Sequence, residues 1–122
     1  MLSITTKVTV PGYHHWAGAP DNAQNFLKNI HRHLFTFEAE VQVTGSRQVE
    51  FFELQERMRY ILERVGYFNG LLVSRHGTSM SCEQMAETMA RALYNQHGHM
   101  VLKVSVSEDG ESSGTWTRDR YE

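Results

Sequence analysis

Residues 31–43 read His-Arg-His-Leu-Phe-Thr-Phe-Glu-Ala-Glu-Val-Gln-Val, and the fold follows from how that stretch alternates. His31, His33, Phe35, Phe37, Ala39, Val41 and Val43 take the odd positions, while Arg32, Thr36, Glu38, Glu40 and Gln42 fall between them. A period of two with one apolar face describes a strand half buried against a core. The same alternation puts His31 and His33 on the core-facing side, with Cβ atoms about 7 Å apart. Two imidazoles at that spacing are close enough to converge on one metal ion. The alternative reading is two polar residues at the mouth of a half-buried face.

Upstream, Leu2, Ile4, Val8 and Val10 alternate with Ser3, Thr5, Lys7 and Thr9, which predicts a first strand that Pro11-Gly12 interrupts. The Tyr13-His14-His15-Trp16 segment after it supplies the imidazoles nearest in sequence to the His-x-His pair. Downstream, Thr44-Gly45-Ser46 ends the second strand and the period changes. Phe51, Leu54, Met58, Ile61, Leu62 and Val65 recur at three- and four-residue spacing, an amphipathic helix that Gly66 stops. Residues 67–80 form a connection in which Leu71-Leu72-Val73 could be a short extended piece. Ser81 followed by Gln84 is a capping-box pattern opening a second helix through Met85, Met89, Ala92 and Leu93 to Asn95–Gly98. Met100, Leu102, Val104 and Val106 then alternate as a strand, and Asp109-Gly110 turns into a last strand at 114–117. The order is strand, strand, helix, helix, strand, strand: an α+β domain with two helices on one face of a four-stranded antiparallel sheet.

Composition narrows the function. A chain of 122 residues with no low-complexity linker is expected to form a single domain over 1–122. A net charge of −2 with no run of Lys or Arg argues against nucleic acid as a partner. No apolar run is long enough for a spanning helix or a signal peptide, so the expected compartment is the cytosol, without a membrane partner. Cys82 is the only cysteine, which leaves histidine and carboxylate to hold any metal. Seven histidines, six of them grouped as 14/15, 31/33 and 97/99, favour the metal reading of the pair on the strand.

Five segments in order resemble the signatures of the 6-pyruvoyl tetrahydropterin synthase and 6-carboxytetrahydropterin synthase family. They are His14-His15-Trp16-Ala17-Gly18, Asn29-Ile30-His31-Arg32-His33, Val49-Glu50-Phe51-Phe52-Glu53-Leu54, Ser81-Cys82-Glu83-Gln84-Met85-Ala86 and Val104-Ser105-Val106-Ser107-Glu108. The resemblance runs from about residue 4 to the C-terminus and implies the T-fold, in which subunits join their sheets into a barrel as a hexamer or other homo-oligomer. It implies zinc held by His14, His31 and His33, with His15 the rival of His14 should the alignment slip by one across Pro11-Gly12. It implies a pterin or purine-like ligand held by Glu108, whose carboxylate suits paired N–H donors. Glu83 falls in a segment that borders the ligand in the family, although an acid in a first helical turn has the dipole as sufficient reason.

The departures bear on activity. Family synthases carry a cysteine four residues before the His-x-His pair, where this chain has Leu27, and a Leu-Asp-His segment where it reads Val65-Gly66-Tyr67. A metal alone supplies only Lewis acidity, so the proton relay needs another group. His76, in a connection of the kind that borders active sites, has the chemistry for a relocated base. Cys82 at a helix start reads as a small buried thiol, His97 and His99 as C-terminal helix residues, and Tyr13 and Trp16 as core or as stacking partners. The leading expectation is a zinc-dependent pterin-type lyase with a non-standard relay. The other is a binding protein of the same fold that sequesters or senses a pterin, purine or nucleotide.

Overall fold

β1 (Leu2–His14) and β2 (His31–Val43) pair antiparallel along their whole length, from Leu2 opposite Val43 to His14 opposite His31. These and the other elements come from a computed structural model that describes residues 1–22, 24–64, 66–68 and 77–119. The expected break at Pro11-Gly12 does not occur: Pro11 pairs with Leu34 and Gly12 with His33, and the strand continues to His14. β1 is an edge strand, where proline's missing N–H costs no ladder bond to a second neighbour. The unbroken parity has a consequence for the site. Thr6, Val8, Gly12 and His14 all turn inward, so His14 rather than His15 shares the core face.

After α1 (Phe51–Glu63) and α2 (Cys82–His97) the chain returns as β3 (Val101–Glu108) and β4 (Ser112–Thr117), completing a sheet of order β1-β2-β3-β4. This is the expected α+β arrangement. α1 packs on β1, and α2 on β3 and β4. Leu54, Met58, Ile61 and Leu62 supply the buried stripe of α1, whereas Phe51, counted with them from the spacing, is half exposed. Val65 and the Leu71-Leu72-Val73 piece lie outside the described residues. α2 opens with the capping box: Gln84 N–H donates to the Ser81 hydroxyl and the Gln84 side chain accepts from Ser81 N–H.

The core forms between the helices and the inner face of the sheet, around Phe35, Phe37, Val41, Met58, Met85, Met89, Leu93 and Val104. β2 keeps its alternation throughout, but β3 does not. Its register shifts where Glu40 pairs with Lys103 and Val41 with Val101, so Leu102 is left half buried and Val101 takes the inward place. The alternation predicted for Met100, Leu102, Val104 and Val106 therefore holds only from Val104 onward. The other face of the sheet is polar, with Thr9 against Thr36 and Ser105 against Thr115. At β4, a Cβ on Gly114 would come within 2.5 Å of the Glu83 nitrogen, so only glycine lets the start of α2 lie this close to the sheet.

Candidate metal centre

The inward faces of β1 and β2 carry three imidazoles at the end of the sheet where α2 begins. His14 and His31 are direct cross-strand partners, and His33 lies two residues along the same face of β2. Their ring centroids are 4.4 to 5.3 Å apart, and Phe35 forms the floor beneath His14 and His33. One ring nitrogen from each lies within 4.8 Å of the other two. Zinc–nitrogen bonds of about 2.0–2.1 Å would set tetrahedral neighbours about 3.3 Å apart, so the three rings would draw closer together on binding an ion.

Each histidine is oriented by an acceptor on its Nδ1. His14 Nδ1 faces the Met80 carbonyl at 3.1 Å, His31 Nδ1 the Asn29 carbonyl at 2.8 Å, and His33 Nδ1 the Asp109 carboxylate at 2.6 Å. A carbonyl cannot donate, so the ring proton sits on Nδ1 and the Nε2 lone pair is left for the centre. Partners of this kind fix the tautomer and raise the basicity of metal-binding imidazoles. The His14 Nε2 is buried without a hydrogen bond, an orphaned acceptor that a cation would satisfy. The donor set thus fits an imidazole-bound divalent ion.

Local backbone builds these supports. Residues 77–80 run beside the end of β1, with Thr78 N–H donating to the Tyr13 carbonyl and His15 N–H to the Thr78 carbonyl. Gly77 has φ +63, and a Cβ there would stand 2.5 Å from the Tyr13 oxygen, so glycine lets this strap carry Met80 to His14. Asp109 and Gly110 both have positive φ, as a type I′ hairpin turn requires, and Glu111 N–H closes the turn on the Glu108 carbonyl. Asp109 also accepts from Leu34 N–H at 2.8 Å while its own N–H donates to the Leu34 carbonyl, tying the turn to β2.

Glu108, at the end of β3, completes the charged groups. Its Oε1 is 3.1 Å from His14 Nε2, its Oε2 3.8 Å from His33 Nε2, and the Cys82 thiol donates to Oε1 at 3.5 Å. Burial lowers the pKa of His14 despite the opposing pull of the Met80 carbonyl and Glu108, which favours the neutral ring over the charged one. The Leu34 N–H, and then His33, hold the Asp109 carboxyl below its ordinary value. Burial, reinforced by Glu108, pushes the Cys82 thiol up to about 12, so it is not a thiolate nucleophile.

A cavity of about 650 Å³ opens over the histidines, bordered by His14, His31, Trp16, Leu27, Glu83 and Glu108. That volume suits a small organic molecule. Glu83, in the exposed first turn of α2, borders the cavity but stands outside the histidine cluster. His15 also borders it, half buried. His76 lies outside the described residues. His97 packs near Arg57 and Glu53 of α1 and takes no part in the cluster. The sequence reading missed Met80, Asn29 and Asp109. The two carbonyls leave no trace in residue type, but Asp109 was visible and had been accounted for as a turn residue.

No family model matches the sequence, and no curated protein matches it. Solved structures do. The chain is similar to 6-pyruvoyl tetrahydropterin synthase of Caenorhabditis elegans, with a TM-score of 0.67 at 17% identity, covering 97% of this chain and 96% of that one. It is also similar to the 6-pyruvoyl tetrahydropterin synthase of Plasmodium vivax, with a TM-score of 0.56 at 13% identity, covering 98% and 99%. The fold is that of the tetrahydropterin synthases. Identity this low carries the architecture and leaves activity to be argued from the site.

Proposed function

We propose that the protein is a zinc-dependent enzyme of the tetrahydropterin synthase type, acting on a pterin-like substrate in the cavity above His14, His31 and His33. The observation that carries this is the convergence of three imidazoles whose Nδ1 atoms are each held by an acceptor, beneath a cavity able to take a bicyclic heterocycle. His14, His31 and His33 would hold the zinc, which would supply Lewis acidity toward a substrate oxygen. The carboxylates of Glu108 and Glu83 line the same cavity and suit the paired N–H edge of such a ring, and exposed Trp16 suits stacking on it. His76 is proposed as the group that moves the proton. The protein is further proposed to act as a homo-oligomer, because among the described residues no strand pairs beyond β4, and only Thr78 bridges the end of β1, which leaves most of both sheet edges for strand pairing.

One observation favours a second reading, a binding protein that holds a pterin, purine or related nucleotide without turnover. Leu27 borders the cavity at the sequence position where the resembling synthases carry their cysteine, so an apolar side chain stands in place of a proton-transferring thiol. Mass spectrometry separates the two. Zinc-loaded protein is incubated with dihydroneopterin triphosphate and a panel of pterins and purine nucleotides, and both products and retained ligand are scored. A new product mass that disappears in the His31→Ala variant supports the enzyme. A ligand retained unchanged supports the binder, and neither product nor retained ligand contradicts both.

A further inference from the structure

We propose that Glu108 is a fourth protein ligand of the metal centre, closing it over His14, His31 and His33 when no small molecule is bound. The inference rests on the three-histidine reading and adds a residue to it.

The first argument is a pairing that cannot stand alone. His14 gives its ring proton to the Met80 carbonyl, so its Nε2 presents a lone pair. That lone pair meets Glu108 Oε1 at 3.1 Å, without hydrogen-bond geometry, at a buried atom. Two acceptors at this distance repel unless positive charge lies between them, and an ion shared by both removes the conflict. The second argument is spacing. Glu108 oxygens are 3.1 Å from His14 Nε2 and 3.8 Å from His33 Nε2, on either side of the roughly 3.3 Å between neighbouring ligands in a tetrahedral zinc shell.

The third argument is that the carboxylate is held in place. Glu108 pairs with Phe35 in the ladder, the turn after it is tied to Leu34 in both directions through Asp109, and the Cys82 thiol donates to Oε1. The thiol, donating to Oε1, fixes the orientation of the carboxylate from the side of α2. One consequence concerns the substrate. A molecule reaching an ion held this way would compete with Glu108 for it, and its N–H groups would compensate the freed carboxylate.

The test uses the metal alone. Zinc affinity by chelator competition and the visible absorption of the cobalt-loaded protein are compared in the wild type, Glu108→Gln, and Glu111→Gln. The last removes an exposed charge from the same turn. The expected result is zinc binding at least about ten-fold weaker in Glu108→Gln, with an altered cobalt spectrum, while Glu111→Gln matches the wild type. Unchanged affinity and spectrum in Glu108→Gln overturn the proposal, as does equal weakening in both variants with an unchanged spectrum, which would mark a general charge effect. A wild type that binds no more zinc than the His31→Ala/His33→Ala variant removes the three-histidine reading itself. Circular dichroism confirms that each variant folds.

Discussion

β2 has two ends with one periodicity and opposite chemistry. From Phe35 to Val43 its inward side chains are apolar and sealed beneath the helices, whereas at His33 and His31 the same face becomes half-buried imidazole, and His31 borders a cavity. The divide falls where α2 starts. Beyond Cys82 the helix no longer covers the sheet, and acceptors from residues 29, 80 and 109 replace apolar neighbours. The core end is held by non-directional burial, the histidine end by directed bonds to particular atoms. A change at one end should therefore alter stability and a change at the other metal affinity.

The largest expected effect breaks the core end. Phe37 is fully buried and stacks edge-on against Phe68, so Phe37→Ala should cost about 3–5 kcal/mol in urea unfolding. The fraction that stays folded should bind zinc as the wild type does. If zinc affinity falls as far as stability, the two ends are not separable. Asp109→Asn sharpens the other side of the comparison. Replacing the carboxylate on His33 Nδ1 should weaken zinc binding about 10- to 100-fold, measured by chelator competition, with little change in the unfolding midpoint.

These contrasts bear on what could be read from the sequence. The alternation of β2, both helical stripes and the Ser81–Gln84 cap were legible because each is a local pattern of residue types. Pro11-Gly12 misled because proline breaks a central strand but not an edge, and edge position is a property of the whole sheet. The bulge opposite Glu40 and Val41 leaves no residue signature, and it exchanged Leu102 for Val101 on the inner face. In the site, the His-x-His pair was legible because strand parity alone aims it, whereas His14 came from the family resemblance with His15 as its rival, and only the unbroken β1 puts His14 on the same face. Their supports were not legible, since two are backbone carbonyls, one from neighbouring Asn29 and one from distant Met80, and a carbonyl leaves no trace in residue type.

The smallest predicted effect concerns a histidine outside the centre. Burial, and then the charge of Arg57, lower the His97 pKa, against a raising influence from Glu53. The folded protein thus binds this proton more weakly than the unfolded chain. The contribution is complete above the ordinary histidine value near 6.5 and is lost as pH falls through the lower folded value. His97→Gln should make the loss of stability below about pH 6.5 shallower in urea titrations at several pH values. An unchanged slope would show that His97 is not held neutral by its surroundings.

The most direct test of the metal centre is zinc per chain, by elemental analysis after loading and desalting, in the wild type and the His31→Ala/His33→Ala variant. The structure predicts about one ion per chain in the wild type and background in the variant, with both proteins folded. Equal zinc in the two would contradict the centre, and with it the zinc-dependent function proposed for the cavity above it.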